Sequence, residues 1–173
     1  MMSSFVSTVS WMSRLCGVIA AGMLFLSVLV VSHMVVVRYL LGGSTYWQTE
    51  FVSYLLIAAT FLGGPYVLLT RGHVNVDLIP IYLGQRGRMV LALFASLLSL
   101  AFCLVVAWTG YDLWREAWDK RWLSETLWEV RLWIPYLTIP VGFGILSLQY
   151  VADILSLVNG NEPPFGLAPE EAE

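Results

Sequence analysis

The chain has 173 residues, of which 58% are hydrophobic, 14% aromatic and only 12% charged. Soluble domains carry roughly 25% charged residues, so this composition excludes a globular protein that faces water on every side. The net charge is −3 and the nine Lys and Arg residues are scattered, so no nucleic-acid-binding surface is visible. We therefore predict an all-α integral membrane protein with four transmembrane helices and short interfacial amphipathic helices.

The first predicted helix follows a short amphipathic segment. Residues 1–14 hold one basic residue and several apolar ones, which fits a segment lying on the membrane surface. The apolar run 15–37 lies between Arg14 and Arg38 and is longer than the roughly 7–15 residues of a signal-peptide core, so we expect it to remain as helix one. A short turn containing Gly42 and Gly43 brings Arg38 to the membrane side of Glu50, where an ion pair is reasonable.

The second predicted helix covers residues 51–70. At about 1.5 Å per residue it spans roughly 30 Å, the thickness of the hydrocarbon core of a bilayer. Charged residues at both of its ends, and an indole one turn before it, would then lie at the headgroups. We expect the helix-end positions to contact each other, a partner or lipid headgroups: Arg38, Trp47, Glu50, Arg71, His73 and Asp77.

Small residues mark expected helix-packing positions. In helix two, Ala59 and Gly63 form a small-xxx-small pair, and Pro65 should kink the helix. Residues 71–88 are polar at both ends, with an apolar middle that is too short to span and should lie along the interface. In helix three, residues 89–111, small side chains recur every four residues and predict a face against which a neighbour packs. This stripe consists of Ala95, Ser99, Cys103 and Ala107.

Tryptophan is concentrated after helix three. Six of the eight tryptophans lie between Trp108 and Trp133, and we expect the Trp-rich segment 112–131 to bend into the headgroup layer. The aromatic face of this segment would either anchor the protein in lipid or dock a partner. The expected interfacial anchors are Tyr111, Trp114, Trp118, Trp122, Trp128 and Trp133.

The fourth predicted helix covers residues 132–158. Pro135 and Pro140 lie near its start, where proline is tolerated, and Gln149 and Asp153 lie four residues apart near its end. Residues 159–173 contain no basic residue and are expected to form a disordered acidic tail. Four helices place both termini on one side, but four basic residues on that side against five on the other do not determine which side is cytoplasmic.

Several other functions find little support in the sequence. His33 and His73 would lie near opposite membrane surfaces, too far apart to share one haem. Cys16 and Cys103 lie within apolar runs, which disfavours thiol exchange or a metal site. Catalytic triads and zinc-protease motifs are not found, so we expect neither catalysis nor a cofactor. A self-sufficient four-helix membrane protein, such as a small transporter or a respiratory membrane anchor, remains the alternative.

An ordered set of motifs resembles a known family. Trp47, Glu50, the Phe61-Leu62-Gly63 step and the Gly72–Asp77 segment GHVNVD are similar to the small membrane subunit, of the DctQ type, of tripartite ATP-independent periplasmic (TRAP) transporters. The segment LWIPYLTIPVGF at residues 132–143 resembles the last-helix pattern of that family. The resemblance covers about residues 15–156. The Trp-rich segment contains more tryptophans than the family pattern requires.

The resemblance implies a bacterial inner-membrane subunit with both termini in the cytoplasm. It implies two protein partners: a large multi-helix membrane subunit that carries the substrate and sodium sites, and a periplasmic solute-binding protein that delivers an organic acid, often a dicarboxylate. Transport would be driven by an ion gradient. The small subunit would be a fixed scaffold that binds no substrate, metal or cofactor itself.

Overall fold

The computed structural model describes residues 2–70 and 84–159. Within these ranges the chain forms three long helices, α1 (Met2–Leu40), α2 (Tyr46–Leu69) and α3 (Gln85–Asp119). A single-turn helix, α4 (Trp133–Tyr136), then leads into α5 (Thr138–Val158). In this described part, four segments are long and apolar enough to cross a membrane, the last formed by α4 and α5 together. The predicted all-α membrane fold with four spanning helices is confirmed.

The helices extend beyond the apolar runs that predicted them. Helix α1 starts at Met2, so the expected surface segment 1–14 is, from residue 2 onward, part of the same helix as residues 15–37. Helix α3 continues to Asp119, well past the predicted end at residue 111. Hydropathy locates the part of a helix that lies in the hydrocarbon, whereas helical hydrogen bonding can continue into the headgroup layer.

Helix α5 is the centre of the bundle, because it contacts each of the other three spanning helices. Helices α1 and α2 form the most extensive pair, and α3 packs mainly on α5. Neighbouring spans are antiparallel, so the start of α1 and the end of α5 lie at the same end of the bundle. We call this end the terminal side. The opposite end, with the start of α2 and the end of α3, is the hairpin side.

Glycines permit the closest helix contacts. A Cβ placed on Gly142 of α5 would lie 2.5 Å from the Phe61 carbonyl oxygen of α2. Pro65 lies four residues after Phe61 and has no N–H to donate to this carbonyl, so α5 approaches α2 where the helical hydrogen bond is missing. A Cβ on Gly17 of α1 would likewise collide with the Tyr66 ring of α2. These contacts fix the bundle by backbone proximity, the packing mode that membranes favour.

The outer faces of the bundle are apolar and exposed. Phe25 on α1 is 66% exposed, and Phe94 and Phe102 on α3 are both 65% exposed. In a soluble protein such faces would be covered, so here lipid or a protein partner must cover them. The hydroxyls of Ser27 and Ser147, in contrast, donate to backbone carbonyls within their own helices, at 2.8 and 2.7 Å.

Candidate functional site

A hairpin-shaped loop, residues 120–132, connects α3 to α4 on the hairpin side. Its two arms are joined by an antiparallel bridge between Leu123 and Arg131. The Ser124 N–H donates to the Val130 carbonyl at 2.9 Å, and the Leu132 N–H donates to the Trp122 carbonyl at 3.0 Å. We call this loop the 120–132 hairpin. The predicted Trp-rich interfacial segment 112–131 is therefore partly the end of α3 and partly this hairpin.

The carboxylate of Glu50 fastens the hairpin to α2. The Tyr54 hydroxyl, one turn along α2, donates to Glu50 Oε1 at 2.6 Å. The Thr126 hydroxyl, 76 residues away in sequence, donates to Glu50 Oε2. Ser124 lies 2.9 Å from Thr126, hydroxyl to hydroxyl, and also interacts with the carboxylate. Hydrogen bonds to a charged acceptor are about twice as strong as neutral ones, so this cluster is a firm attachment.

Glu50 does not pair with Arg38, the partner that the sequence suggested. Glu50 is only 9% exposed and its carboxylate is bound by hydroxyls, whereas Arg38 is exposed at the end of α1. The turn containing Gly42, which has a φ of 60°, separates the two helix ends. Arg38 is therefore free to reach headgroups, and the hairpin supplies the contacts that were expected from α1.

Aromatic rings strengthen the same attachment. Trp128 at the hairpin tip packs edge-on against Trp47 and Phe51 of α2, with ring centroids 6.1 Å apart in both pairs. Trp47 and Phe51 are themselves 6.4 Å apart. Such pairs contribute about 0.5–1.5 kcal/mol each beyond the apolar area that they bury. Trp47 and Trp128, both expected at the interface, therefore also hold protein elements together.

A second aromatic row runs along the end of α3. Tyr111, Trp114 and Trp118 stack in sequence at 5.7 and 6.0 Å, and Trp118 contacts Trp133 at 4.7 Å. The Trp114 indole N–H is buried and has no hydrogen-bond partner among the described residues. Trp122 lies 5.9 Å from the Lys120 ammonium and is not part of the row. Of the six expected anchors, Tyr111, Trp114, Trp118 and Trp133 are thus joined in this row, whereas Trp122 and Trp128 belong to the hairpin.

The predicted small-residue stripe on α3 is placed unevenly in the bundle. Cys103 is 4% exposed, and Ser99 interacts with Tyr150 of α5. Ala107 is half-buried and Ala95 is exposed. Four residues turn a helix by about 400°, so an i+4 row drifts by roughly 40° at each step and leaves the contact. Cys103, Gly110 and Ala117 are seven residues apart and are all buried, because a seven-residue step drifts by only about 20° and stays on the contact face.

In α2, both predicted small residues lie on the inner side of the helix. Ala59 is 5% exposed. A Cβ on Gly63 would lie 3.6 Å from the Ala20 side chain of α1, which is ordinary contact. The remaining helix-end positions, Arg71, His73 and Asp77, lie outside the described residues, as does the expected tail from residue 160 onward.

A buried polar chain on the terminal side was not predicted. Ser13 of α1 donates to the Gln149 amide oxygen at 2.8 Å, and the Gln149 amide nitrogen donates to Asp153 at 2.8 Å. Ser13 and Gln149 are 0% and 1% exposed. The four-residue spacing of Gln149 and Asp153 is visible in the sequence, but nothing there indicates the link to Ser13, 136 residues away from Gln149.

The four apolar spans and the exposed apolar faces define a multi-pass α-helical membrane protein. A hairpin is fastened to α2 at one end of its bundle. Residues 27–160 match the family of the DctQ component of tripartite ATP-independent periplasmic transporters. The chain belongs to this family, as the resemblance predicted. Its relatives are transporter subunits and not enzymes.

Three relatives illustrate the similarity. The ectoine TRAP transporter small permease protein TeaB of Halomonas elongata is 30% identical over 139 residues, 78% of this chain and 68% of that protein. The C4-dicarboxylate TRAP transporter small permease protein DctQ of Pseudomonas aeruginosa is 25% identical over 129 residues, 73% of this chain and 61% of that protein. The isethionate TRAP transporter permease protein DctMQ of Oleidesulfovibrio alaskensis is 24% identical over 117 residues, 68% of this chain but only 18% of that protein.

Proposed function

We propose that this chain is the small membrane subunit of a TRAP transporter, and that it acts as a fixed scaffold for a large multi-helix membrane subunit. The observation that carries the proposal is family membership along residues 27–160. The similarity to the DctMQ permease supports the proposal of a large membrane partner. The match covers only 18% of that protein, so most of it lies outside the part that is similar to this chain. The matched region spans about three fifths of the Pseudomonas relative.

The distribution of polar groups supports a scaffold and not a conduit. Among the described residues, the buried charged side chains are Glu50 and Arg88, and both lie in the opening residues of their helices. Transporters place ionisable groups or broken helices near the middle of the membrane. The interior here instead holds close glycine contacts, such as Gly142 on Phe61, and uncharged polar links such as that from Ser13 to Gln149. A stiff bundle with exposed apolar outer faces suits a subunit against which a partner moves.

The finer assignments follow from the family. We infer that the complex imports an organic acid, delivered by a periplasmic solute-binding protein that docks transiently, and that an ion gradient, with sodium expected, drives transport. The relatives are named for different solutes, C4-dicarboxylate, isethionate and ectoine, so the large subunit and the binding protein would select the substrate. The chain would lie in the bacterial inner membrane with the terminal side in the cytoplasm.

Co-purification tests the assignment. The chain, tagged at its C-terminus, is extracted from its native membrane in mild detergent, and an unrelated tagged four-helix membrane protein serves as the control. We expect one large hydrophobic protein to be recovered with this chain only. Recovery of the chain alone, or of a haem-containing complex, would exclude the subunit assignment. Loss of uptake on addition of a sodium ionophore then tests the coupling ion.

The helix-end residues have an expected role in assembly. Replacing Glu50 or Asp77 by Ala should reduce assembly with the large subunit or the rate of uptake, because Glu50 holds the hairpin to α2 and Asp77 is one of the charged residues that the sequence predicts at a helix end. Wild-type uptake by the double variant would remove these two positions from the proposal. The aromatic row on α3 is proposed to anchor the bundle in the headgroup layer.

A further inference from the structure

An open groove of about 840 Å³ lies between α1 and α2 on the terminal side of the bundle. We call it the α1–α2 groove. The lining of its outer end is polar, with the guanidinium of Arg14 and the hydroxyl-bearing residues Ser10 and Thr70. Arg14 immediately precedes the apolar run 15–37, so its charge lies where the lipid headgroups begin.

The groove continues from this polar end toward the middle of the membrane. Gly17, Val18 and Ala21 line its inner part, and Ala21 lies seven residues after Arg14, about 10 Å further along the helix. Val18 is 70% exposed, so the inner part opens to the surroundings of the bundle. One cavity therefore joins a cation at the membrane surface to an apolar trough at the depth of the hydrocarbon.

The positive charge of the groove has no counter-charge in the described part of the chain. Across residues 2–70 and 84–159, Arg14 forms no ion pair, and no Asp or Glu lines the groove. A guanidinium presents five N–H donors in a planar fork that matches phosphate and carboxylate. The outer end of the groove thus offers donors and positive charge, which favours an anionic occupant.

The order of polarity along the groove favours a phospholipid. A free anion would fill the polar end and leave the apolar part empty. A helix of a protein partner would fill the apolar part but would also need a carboxylate at the level of Arg14. A phospholipid carries its phosphate above its acyl chains, and the bilayer holds it in this orientation. Because no carboxylate lines the groove to bind a choline or ethanolamine group, a lipid with net negative charge fits best.

Arg38 provides the comparison for a basic residue without a groove. It lies at the opposite end of α1, is exposed as Arg14 is, and does not line the α1–α2 groove. Extension of its side chain into the headgroup layer is sufficient to satisfy such a residue. Arg14 differs because a concave apolar surface continues directly beneath its charge.

We propose that the α1–α2 groove is a binding site for one anionic phospholipid of the leaflet on the terminal side. The lipid phosphate would accept hydrogen bonds from Arg14 and Ser10, and one acyl chain would lie along Val18 and Ala21. The bound lipid would cover part of the exposed apolar surface of α1 and would bridge α1 and α2 at the membrane surface. The inference does not depend on the proposed transporter assignment, because it uses only this chain and the bilayer.

Lipid photolabelling with two matched pairs of variants tests the site. The tagged full chain, with the proteins that it retains, is placed in phosphatidylcholine vesicles that contain a trace of phosphatidylglycerol with a photoreactive acyl chain. Labelled peptides are identified by mass spectrometry. Arg14→Gln is compared with Arg38→Gln. Ala21→Phe, which fills the inner part of the groove, is compared with Val28→Phe, because Val28 is 62% exposed on the same helix and does not line the groove.

We expect the phosphatidylglycerol probe to label the groove, in the peptide that contains Gly17–Ala21 or in the end of α2, more strongly than a photoreactive phosphatidylcholine does. Arg14→Gln should reduce this labelling about tenfold, because a charge-assisted contact with the phosphate is lost, and Arg38→Gln should not reduce it. Ala21→Phe should reduce the labelling and Val28→Phe should not. Excess inorganic phosphate should leave the probe bound, because the acyl chain contributes to binding.

Three results would overturn the inference. The first is equal labelling of the groove in the two variants of either pair, and the Ala21 pair decides if Arg14→Gln does not fold. The second is equal labelling by the two lipid probes, or full displacement of the phosphatidylglycerol probe by inorganic phosphate, since the groove would then not select an anionic lipid. The third is a photo-crosslinking residue at Val18 that captures a protein partner in place of lipid in the native membrane.

Discussion

Thr126 donates a hydrogen bond to the carboxylate of Glu50, joining the tip of the 120–132 hairpin to the second turn of α2 across 76 residues of sequence. With the hydrogen bond from Tyr54, this contact explains how a carboxylate can be nearly buried at the start of a membrane helix. With the Trp128 contacts, it holds the hairpin against α2.

Replacing Thr126 by Val should release the hairpin from α2. The substitution preserves side-chain shape but removes a hydrogen bond to a charged group, which is worth about 1.5–3 kcal/mol. We expect faster trypsin cleavage at Lys120, Arg121 or Arg131 in detergent-solubilised protein. Thr60→Val is the control, because the Thr60 hydroxyl donates within its own helix to Leu56. Equal cleavage rates in both variants would show that Glu50 does not hold the hairpin.

Trp128→Ala should also loosen the hairpin. The variant loses two aromatic contacts, with Trp47 and with Phe51, at a cost of about 1–3 kcal/mol. Leu127→Ala is the matched control, because Leu127 is the adjacent residue and is 82% exposed. Hydrogen exchange of the hairpin amides measures the difference. Faster exchange in Trp128→Ala alone is expected, and indistinguishable exchange in the two variants would mean that Trp128 serves only as a lipid anchor.

Gly142→Ala should destabilise the bundle. The added methyl would lie 2.5 Å from the Phe61 carbonyl oxygen, so α2 and α5 must separate, and overpacking of this kind costs about 1–3 kcal/mol. Gly144→Ala, two residues along the same helix, meets nothing within 4 Å and should be neutral or slightly stabilising, because Ala favours helix. Thermal unfolding in detergent compares them. A midpoint for Gly142→Ala at or above that of Gly144→Ala would contradict the close approach.

Ser13→Ala should weaken the link between α1 and α5. It leaves the Gln149 amide oxygen without this buried donor, which costs about 1–3 kcal/mol. Ser10→Ala lies one turn earlier on α1 and serves as the control. The free energies of unfolding of Ser13→Ala, Gln149→Leu and the double variant form a cycle. A coupling energy near zero would mean that the hydrogen bond contributes nothing to stability.

Sequence reasoning predicted the elements of the fold better than their contacts. Apolar length alone identified the four spanning helices, because the bilayer fixes how many residues a helix needs. The extension of α1 to Met2 and of α3 to Asp119 was not predicted, since hydropathy does not register helix outside the hydrocarbon.

Partners distant in sequence were harder to predict. The Tyr54–Glu50 contact follows from a four-residue spacing on one helix, so it could have been found. Thr126 and Ser13 could not, because no periodicity relates a hairpin or a first helix to a residue many turns away. The predicted stripe on α3 reaches Ala95, which is exposed, because a row of every fourth residue winds around the helix.

The most direct test of the central proposal is native mass spectrometry of the complex isolated through this chain. The sample is extracted from the native membrane in mild detergent and compared with the same preparation from cells that lack the large subunit. A scaffold subunit predicts one copy of this chain bound to one copy of a single large membrane protein, and loss of this chain's stable pool when that protein is absent. A monomer or self-associated bundle of this chain, equally abundant in both strains, would contradict the assignment.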